Sequence, residues 1–264
     1  MFGAEARLAA TRSAEGGFRR RLQAEDGVVV SAEHLLPADG ARRLAVVVVH
    51  GFTLHSRHPR LRRVAAWLRD SAGLIMLDLR GHGASGGVCT MGWQEVQDVE
   101  AAVGWARSLG YARVATLGFS LGSAVVLRHA AIYGGVDAVA AVSGPGQWYY
   151  RGTPRMRQLH RLVLGRPGRT AIRLARGTRI TAEAWTEPYP LDPVAAAAEL
   201  EAPLLVVHGD LDDYFPAEHA ERVCAAAGSR GTLWLVPGFG HAEAAVGEQL
   251  ARRIGSWLVA ACQA

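Results

Sequence analysis

Short apolar runs alternate along the chain with stretches in which apolar side chains recur every three or four positions, the rhythm of strands joined by amphipathic helices. Ala45-Val46-Val47-Val48-Val49 is a β-branched run without polar alternation, the mark of a strand buried on both faces of a parallel sheet. Over residues 59–69, Leu61, Val64, Ala65 and Leu68 fall on one helical face, and Leu74-Ile75-Met76-Leu77 is the next strand. Val96, Val99, Val103 and Ala106 then recur at helical spacing toward Gly110. Val114-Ala115-Thr116-Leu117, an alanine-rich helix and Ala138-Val139-Ala140-Ala141-Val142 continue the β-α-β order.

Two departures frame this rhythm. Phe18 to Gln23 and residues 28–34 flank the turn signal Glu25-Asp26-Gly27, which predicts a hairpin and hence an antiparallel edge. From Gly144 to Pro193 arginines, glycines, prolines and aromatics replace the rhythm for about fifty residues, as an inserted cap would. Strand signals resume at Leu204-Leu205-Val206-Val207 and Thr232-Leu233-Trp234-Leu235-Val236. A last helix places Val246, Leu250, Ile254, Trp257 and Leu258 on one face. The expected fold is α/β: a mostly parallel, doubly wound sheet of about eight strands, with residues 1–143 and 194–264 as the core and 144–193 as a small helical cap.

Bulk properties narrow the function. With 264 residues, 50% hydrophobic and 20% charged, the chain can bury a full core as one large domain. No apolar run approaches the roughly twenty residues of a membrane span, and Met1-Phe2-Gly3-Ala4-Glu5-Ala6-Arg7 lacks a signal-peptide core, so the expected location is the cytoplasm. Cys89, Cys224 and Cys262 are far apart and suit reduced structural thiols rather than a metal or redox pair. The net charge of +5 is carried by arginine without any lysine, and no nucleic-acid motif accompanies it.

Candidate chemistry centres on Gly118-Phe119-Ser120-Leu121-Gly122, set between a strand and a helix. A corner that sharp needs glycine at both ends, holds the serine hydroxyl above the sheet edge and frees the N–H of Leu121 toward an oxyanion. A serine needs an imidazole to take its proton and a carboxylate to orient that imidazole. The loops after the next-to-last and last strands supply Asp210, Asp212 and Asp213, then His241, in the chain order Ser, Asp, His. Spacing alone leaves the three aspartates open. Gly81-His82-Gly83-Ala84-Ser85-Gly86 matches a dinucleotide fingerprint, but no helix opens directly after it and the next strand ends in Gly118 rather than an acid. It is expected to shape a tight loop beside the active site.

Together, His50-Gly51-Phe52, Asp78-Leu79-Arg80-Gly81-His82-Gly83, the Ser120 pentapeptide, Gly209-Asp210-Leu211-Asp212 with Phe215-Pro216, and Gly240-His241 resemble the α/β-hydrolase fold of serine hydrolases. The pattern is close to the monoglyceride-lipase, feruloyl-esterase and serine-aminopeptidase-like group and covers nearly the whole chain. The resemblance implies Asp212 as the acid and the N–H of Phe52 as the partner of Leu121 in the oxyanion hole. Phe215 stands where that group usually has valine. It also implies structural roles for His50 and His82, and His208, which ends a strand as His50 does, is read in the same way.

The expected function is hydrolysis of a carboxylic ester through an acyl-enzyme on Ser120, with His241, Asp212, Phe52 and Leu121 in support and neither metal nor organic cofactor. Thioester, peptide or carbon–carbon bond cleavage by the same residues, and a low-turnover binding or receptor protein on the same fold, are the alternatives. Trp148 and Tyr149 at the cap entrance are the candidate substrate-binding residues for a small ester or acyl compound. Nine arginines over 151–179, with no acid before Glu183, leave two options for the cap. They form a mouth for anionic substrates, or they face water above Leu162, Val163, Leu164, Ile172 and Leu174, which is the favoured expectation. His55 and His58 follow the Phe52 loop and are expected at the surface.

Overall fold

The computed structural model of the protein describes residues 11–12 and 17–263; the opening heptapeptide read above as lacking a leader lies outside the described residues. Among the described residues, nine strands form one sheet: β1 (Thr11–Arg12), β2 (Phe18–Gln23), β3 (Val29–Leu35), β4 (Leu44–Val49), β5 (Gly73–Asp78), β6 (Arg113–Phe119), β7 (Ala138–Val142), β8 (Leu204–Gly209) and β9 (Gly231–Val236). Their order is β1-β2-β3-β5-β4-β6-β7-β8-β9. The first three strands and the β3-β5 pair are antiparallel and everything beyond is parallel. The hairpin and the parallel run follow the sequence pattern, while β1 adds a two-residue strip whose brevity leaves no periodic signal.

The helices are α1 (Pro59–Leu68), α2 (Glu95–Ser108), α3 (Leu121–Tyr133), α4 (Pro154–Leu164), α5 (Arg166–Arg176), α6 (Pro193–Ala198), α7 (Glu218–Ala226), α8 (Ala242–Ala245) and α9 (Glu248–Ala261). Strand alternation divides the apolar residues between two layers. Val47, Val49, Ile75 and Leu77 face α2, α3, α6 and α7. Val46, Val48, Leu74 and Met76 face α1 and α9. Because each strand of the centre buries both faces, an unbroken valine run is what this position selects. Val246 packs with the α9 face but precedes the helix, whose N-cap is Gly247.

The segment over 144–193 carries α4 and α5 and an extended stretch tied to the rest of the chain at several points. A β-bridge joins Cys89 to Ile180, and Arg179 donates to the carbonyls of Gly87, at 3.0 Å, and Ser85. The loop over Gly81 and Gly83, with φ of 74° and 51°, is thus clamped against this segment and opens no helix. Of the apolar residues expected beneath the arginines, Leu162, Leu164 and Leu174 are exposed, while Ile172 is buried. Helical spacing marked the apolar stripe, but a two-helix layer has fewer neighbours to cover it than a helix laid on the sheet. Among the described residues, no helix is long and apolar enough to cross a membrane.

Candidate active site

Ser120 lies between the last residue of β6 and the first of α3 with φ 50° and ψ −114°, a conformation uncommon for a residue with a Cβ. The turn is held by its N–H bonding to the carbonyl of Val142 at 2.9 Å and by Ser123 N–H bonding to the Ser120 carbonyl at 3.0 Å. Tight packing explains the flanking glycines. A Cβ at Gly118 would stand 2.2 Å from the Gly122 oxygen, and one at Gly122 would stand 2.4 Å from the Val49 oxygen.

Two loops at the same end of the sheet meet this serine. His241 Nε2 is 2.9 Å from Ser120 Oγ, and His241 Nδ1 is 2.8 Å from Asp212 Oδ2. The other Asp212 oxygen accepts the N–H groups of Tyr214 at 2.9 Å and Phe215 at 3.1 Å, so this fully buried carboxylate is hydrogen-bonded on both sides. Burial alone would raise its pKa. The hydrogen bond and charge of His241, with the two backbone donors, outweigh burial and hold it below the ordinary carboxylate value. The aspartates left open by spacing separate by partner: Asp210 accepts Gly238 N–H at 2.7 Å, and Asp213 is an exposed partner of Arg155 at 2.7 Å.

The remaining histidines of the motifs have other partners. His50 Nδ1 donates to the Gly51 carbonyl at 2.8 Å while its Nε2 accepts Leu79 N–H at 3.1 Å. His82 is buried beside His50 and its pKa falls to about 3, so it stays neutral. His208 Nε2 donates to the Phe215 carbonyl at 2.9 Å, bracing the loop behind Asp212. His58 caps α1 through Nδ1 and lines the cavity described next; His55 is half-buried.

Above Ser120 and His241 lies a cavity of about 680 Å³. Its walls are mostly apolar: Phe52, Leu54 and Met91 from the core, Met156, Leu159 and Ile172 from α4 and α5, and the aromatic group Trp148, Tyr149 and Trp185. Trp148 is fixed by Nε1–H donating to the carbonyls of Pro190 at 3.2 Å and Leu191 at 3.0 Å, with the Trp185 ring edge-on at 5.3 Å. Of the arginine run, Arg169 and Arg176 line the cavity. Arg155 is paired with Asp213, and Arg157 donates to the carbonyls of Arg151 and Gly152 at 3.2 and 2.8 Å. The carboxylate that the run itself lacks comes from the Asp212 loop.

Three site contributors carried little sequence signal. Tyr214 stacks on the His241 ring at 4.2 Å, Ser143 anchors the His241 loop, and Glu243 bonds to the Gly51 N–H. A carboxylate two residues after a loop histidine is the one hint that pattern reading could have used for Glu243.

Comparisons with known proteins bear on the family and the fold. Residues 26–180 match the family model of X-Pro dipeptidyl-peptidase (S15 family). Over 231 residues the chain is 30% identical to a monoacylglycerol lipase of Mycolicibacterium smegmatis, covering 75% of this chain and 81% of the relative. Among solved structures it is similar to the Pyrococcus furiosus esterase Pf2001, with a TM-score of 0.71 at 20% identity, covering 92% of this chain and 91% of that one. The esterase RhEst1 from Rhodococcus sp. ECU1013 gives 0.69 at 19% identity, covering 91% and 98%.

Proposed function

We propose a reaction for this protein from the family to which it belongs: it is a member of the α/β-hydrolase superfamily of serine hydrolases and matches the S15 family over more than half its length. It is a hydrolase of the esterase and lipase kind. Its reaction, in our reading, is cleavage of a carboxylic ester with an apolar acyl group. The observation that carries this is the unbroken hydrogen-bonded line Ser120–His241–Asp212 at the floor of an apolar cavity.

The step order follows from the chemistry of those groups. Ser120 Oγ attacks the ester carbonyl carbon as its proton passes to His241 Nε2, and Asp212 holds the imidazolium that results. The tetrahedral oxygen takes the N–H groups of Phe52 and Leu121, donors placed before the charge develops. Collapse expels the alcohol, which leaves with the proton from His241. Water then attacks the acyl-serine by the same relay and releases the acid. Trp148, Tyr149 and Trp185 grip the acyl or aryl part at the entrance.

A peptide bond is the second reading, favoured by the S15 family match. Nitrophenyl esters of graded chain length, run beside anilides of the same acyl groups, test both. Ester cleavage with kcat/KM rising as the acyl chain fills the cavity supports the first reading. Anilide cleavage at comparable kcat/KM would replace it with the second.

A further inference from the structure

Glu243 is a buried carboxylate at the reacting centre for which the line Ser120–His241–Asp212 has no use. It stands two residues after His241, and its Oε1 accepts the N–H of Gly51 at 2.6 Å across a sequence separation of 192. Gly51 is pressed between this carboxylate and the serine. A Cβ there would lie 3.2 and 3.4 Å from the two Glu243 oxygens and 3.3 Å from Ser120 Cβ.

The carbonyl of Gly51 is held as firmly as its N–H. It accepts His50 Nδ1–H at 2.8 Å and Leu54 N–H at 3.2 Å. A trans peptide is planar, with its N–H opposed to its C=O. Fixing the Gly51 carbonyl therefore fixes the direction of the Phe52 N–H, and fixing the Gly51 nitrogen sets where that peptide begins. Together these bonds leave the donor little freedom to follow a moving oxygen, which is what a preorganised oxyanion hole requires.

We propose that Glu243 is a positioning residue for the reaction: it ties the loop that bears His241 to the loop that bears Phe52, and so sets the distance between proton acceptor and oxyanion donor. This rests on the ester-hydrolase reading above. The carboxylate acts through the location of its oxygen. Burial pushes its carboxyl pKa up, against the pull of Gly51 N–H, its own N–H, His241 and Arg60.

Position and charge come apart in three substitutions. Glu243→Gln keeps an acceptor oxygen at full reach and drops the charge. Glu243→Asp keeps the charge and withdraws the oxygen by one methylene. Glu243→Ala removes both. Each variant is assayed with a matched oxoester and thionoester, because a donor aimed at oxygen favours the first and a misplaced donor loses that preference. Expected for Glu243→Asp and Glu243→Ala is a fall in kcat of about 10- to 100-fold with KM little changed, together with a shrinking oxo-to-thiono ratio. Glu243→Gln should recover most of both. Should the alanine variant fail to fold, the aspartate and glutamine pair still decides.

An oxo-to-thiono ratio equal to wild type in the aspartate variant overturns the proposal, and so does an aspartate variant that works where glutamine fails. Labelling of wild-type Ser120 by a fluorophosphonate separates the two levels. A labelled wild type that hydrolyses esters, with flat Glu243 variants, sinks the positioning role alone. A wild type that neither labels nor turns over sinks the hydrolase reading and the positioning role with it.

Discussion

Ser143 Oγ accepts the backbone N–H of Ala242 at 3.0 Å, and both residues hold left-handed backbone at φ 51°. Ser143 follows the last residue of β7, and Ala242 follows His241. The bond therefore fixes the His241 loop to the strand beside the one that delivers Ser120. Backbone in this region costs of order 1–3 kcal/mol for a residue with a Cβ and persists where surrounding contacts hold it.

Ser143→Ala should lower kcat roughly tenfold, near the worth of one lost hydrogen bond, with the fold intact by circular dichroism. Ser143→Gly should lose the same activity while melting no lower than the alanine variant, since glycine accepts φ 51° without strain. Wild-type kcat in both variants would remove Ser143 from the support of His241.

Legibility in the sequence divides along a physical line. Apolar period and glycine punctuation placed β4 to β9, α1 to α3 and the corner at Ser120, because each is written in neighbouring residues. The choice among Asp210, Asp212 and Asp213 was not local. It depends on which carboxylate the turn over 209–215 directs inward, and only the family resemblance pointed to Asp212. Glu243 and Ser143 carried little signal for the same reason, since their partners lie 192 and 99 positions away. The arginine run misled in one respect: its counter-charge, Asp213, comes from another loop.

Acid stability should depend on His34. Burial, with help from Arg42, lowers its pKa from 6.5 to about 4, and its Nε2 bonds to Tyr111 OH at 2.8 Å while Trp105 packs edge-on. The unfolded chain binds a proton at this position before the native state does. Its contribution is therefore complete above about pH 6.5 and is lost as pH falls toward about 4. Thermal melts should show wild type losing Tm across that window more steeply than His34→Gln, with the two curves converging at its acid end. Parallel curves would refute the assignment.

The arginines over 151–179 should be silent toward substrate charge where they are already engaged. Arg155→Gln with Arg157→Gln removes a pair bound to Asp213 and to the Arg151 and Gly152 carbonyls, outside the cavity lining. Surface charge is screened over about 8 Å at physiological salt. For an anionic and a neutral ester of matched acyl group, kcat/KM should respond to salt in the same way before and after the double substitution. A steeper salt loss for the anionic ester in wild type, abolished by the substitutions, would mean that this pair steers substrate.

The covalent step is open to a direct measurement. Intact-mass and peptide analysis after treatment with a fluorophosphonate should show one adduct, on Ser120, forming in step with the loss of ester hydrolysis. Ser120→Ala should take no label and retain less than about a thousandth of wild-type kcat, with Asp212→Asn reduced less severely or equally. A label on another residue, or substantial turnover by Ser120→Ala, would contradict the acyl-enzyme.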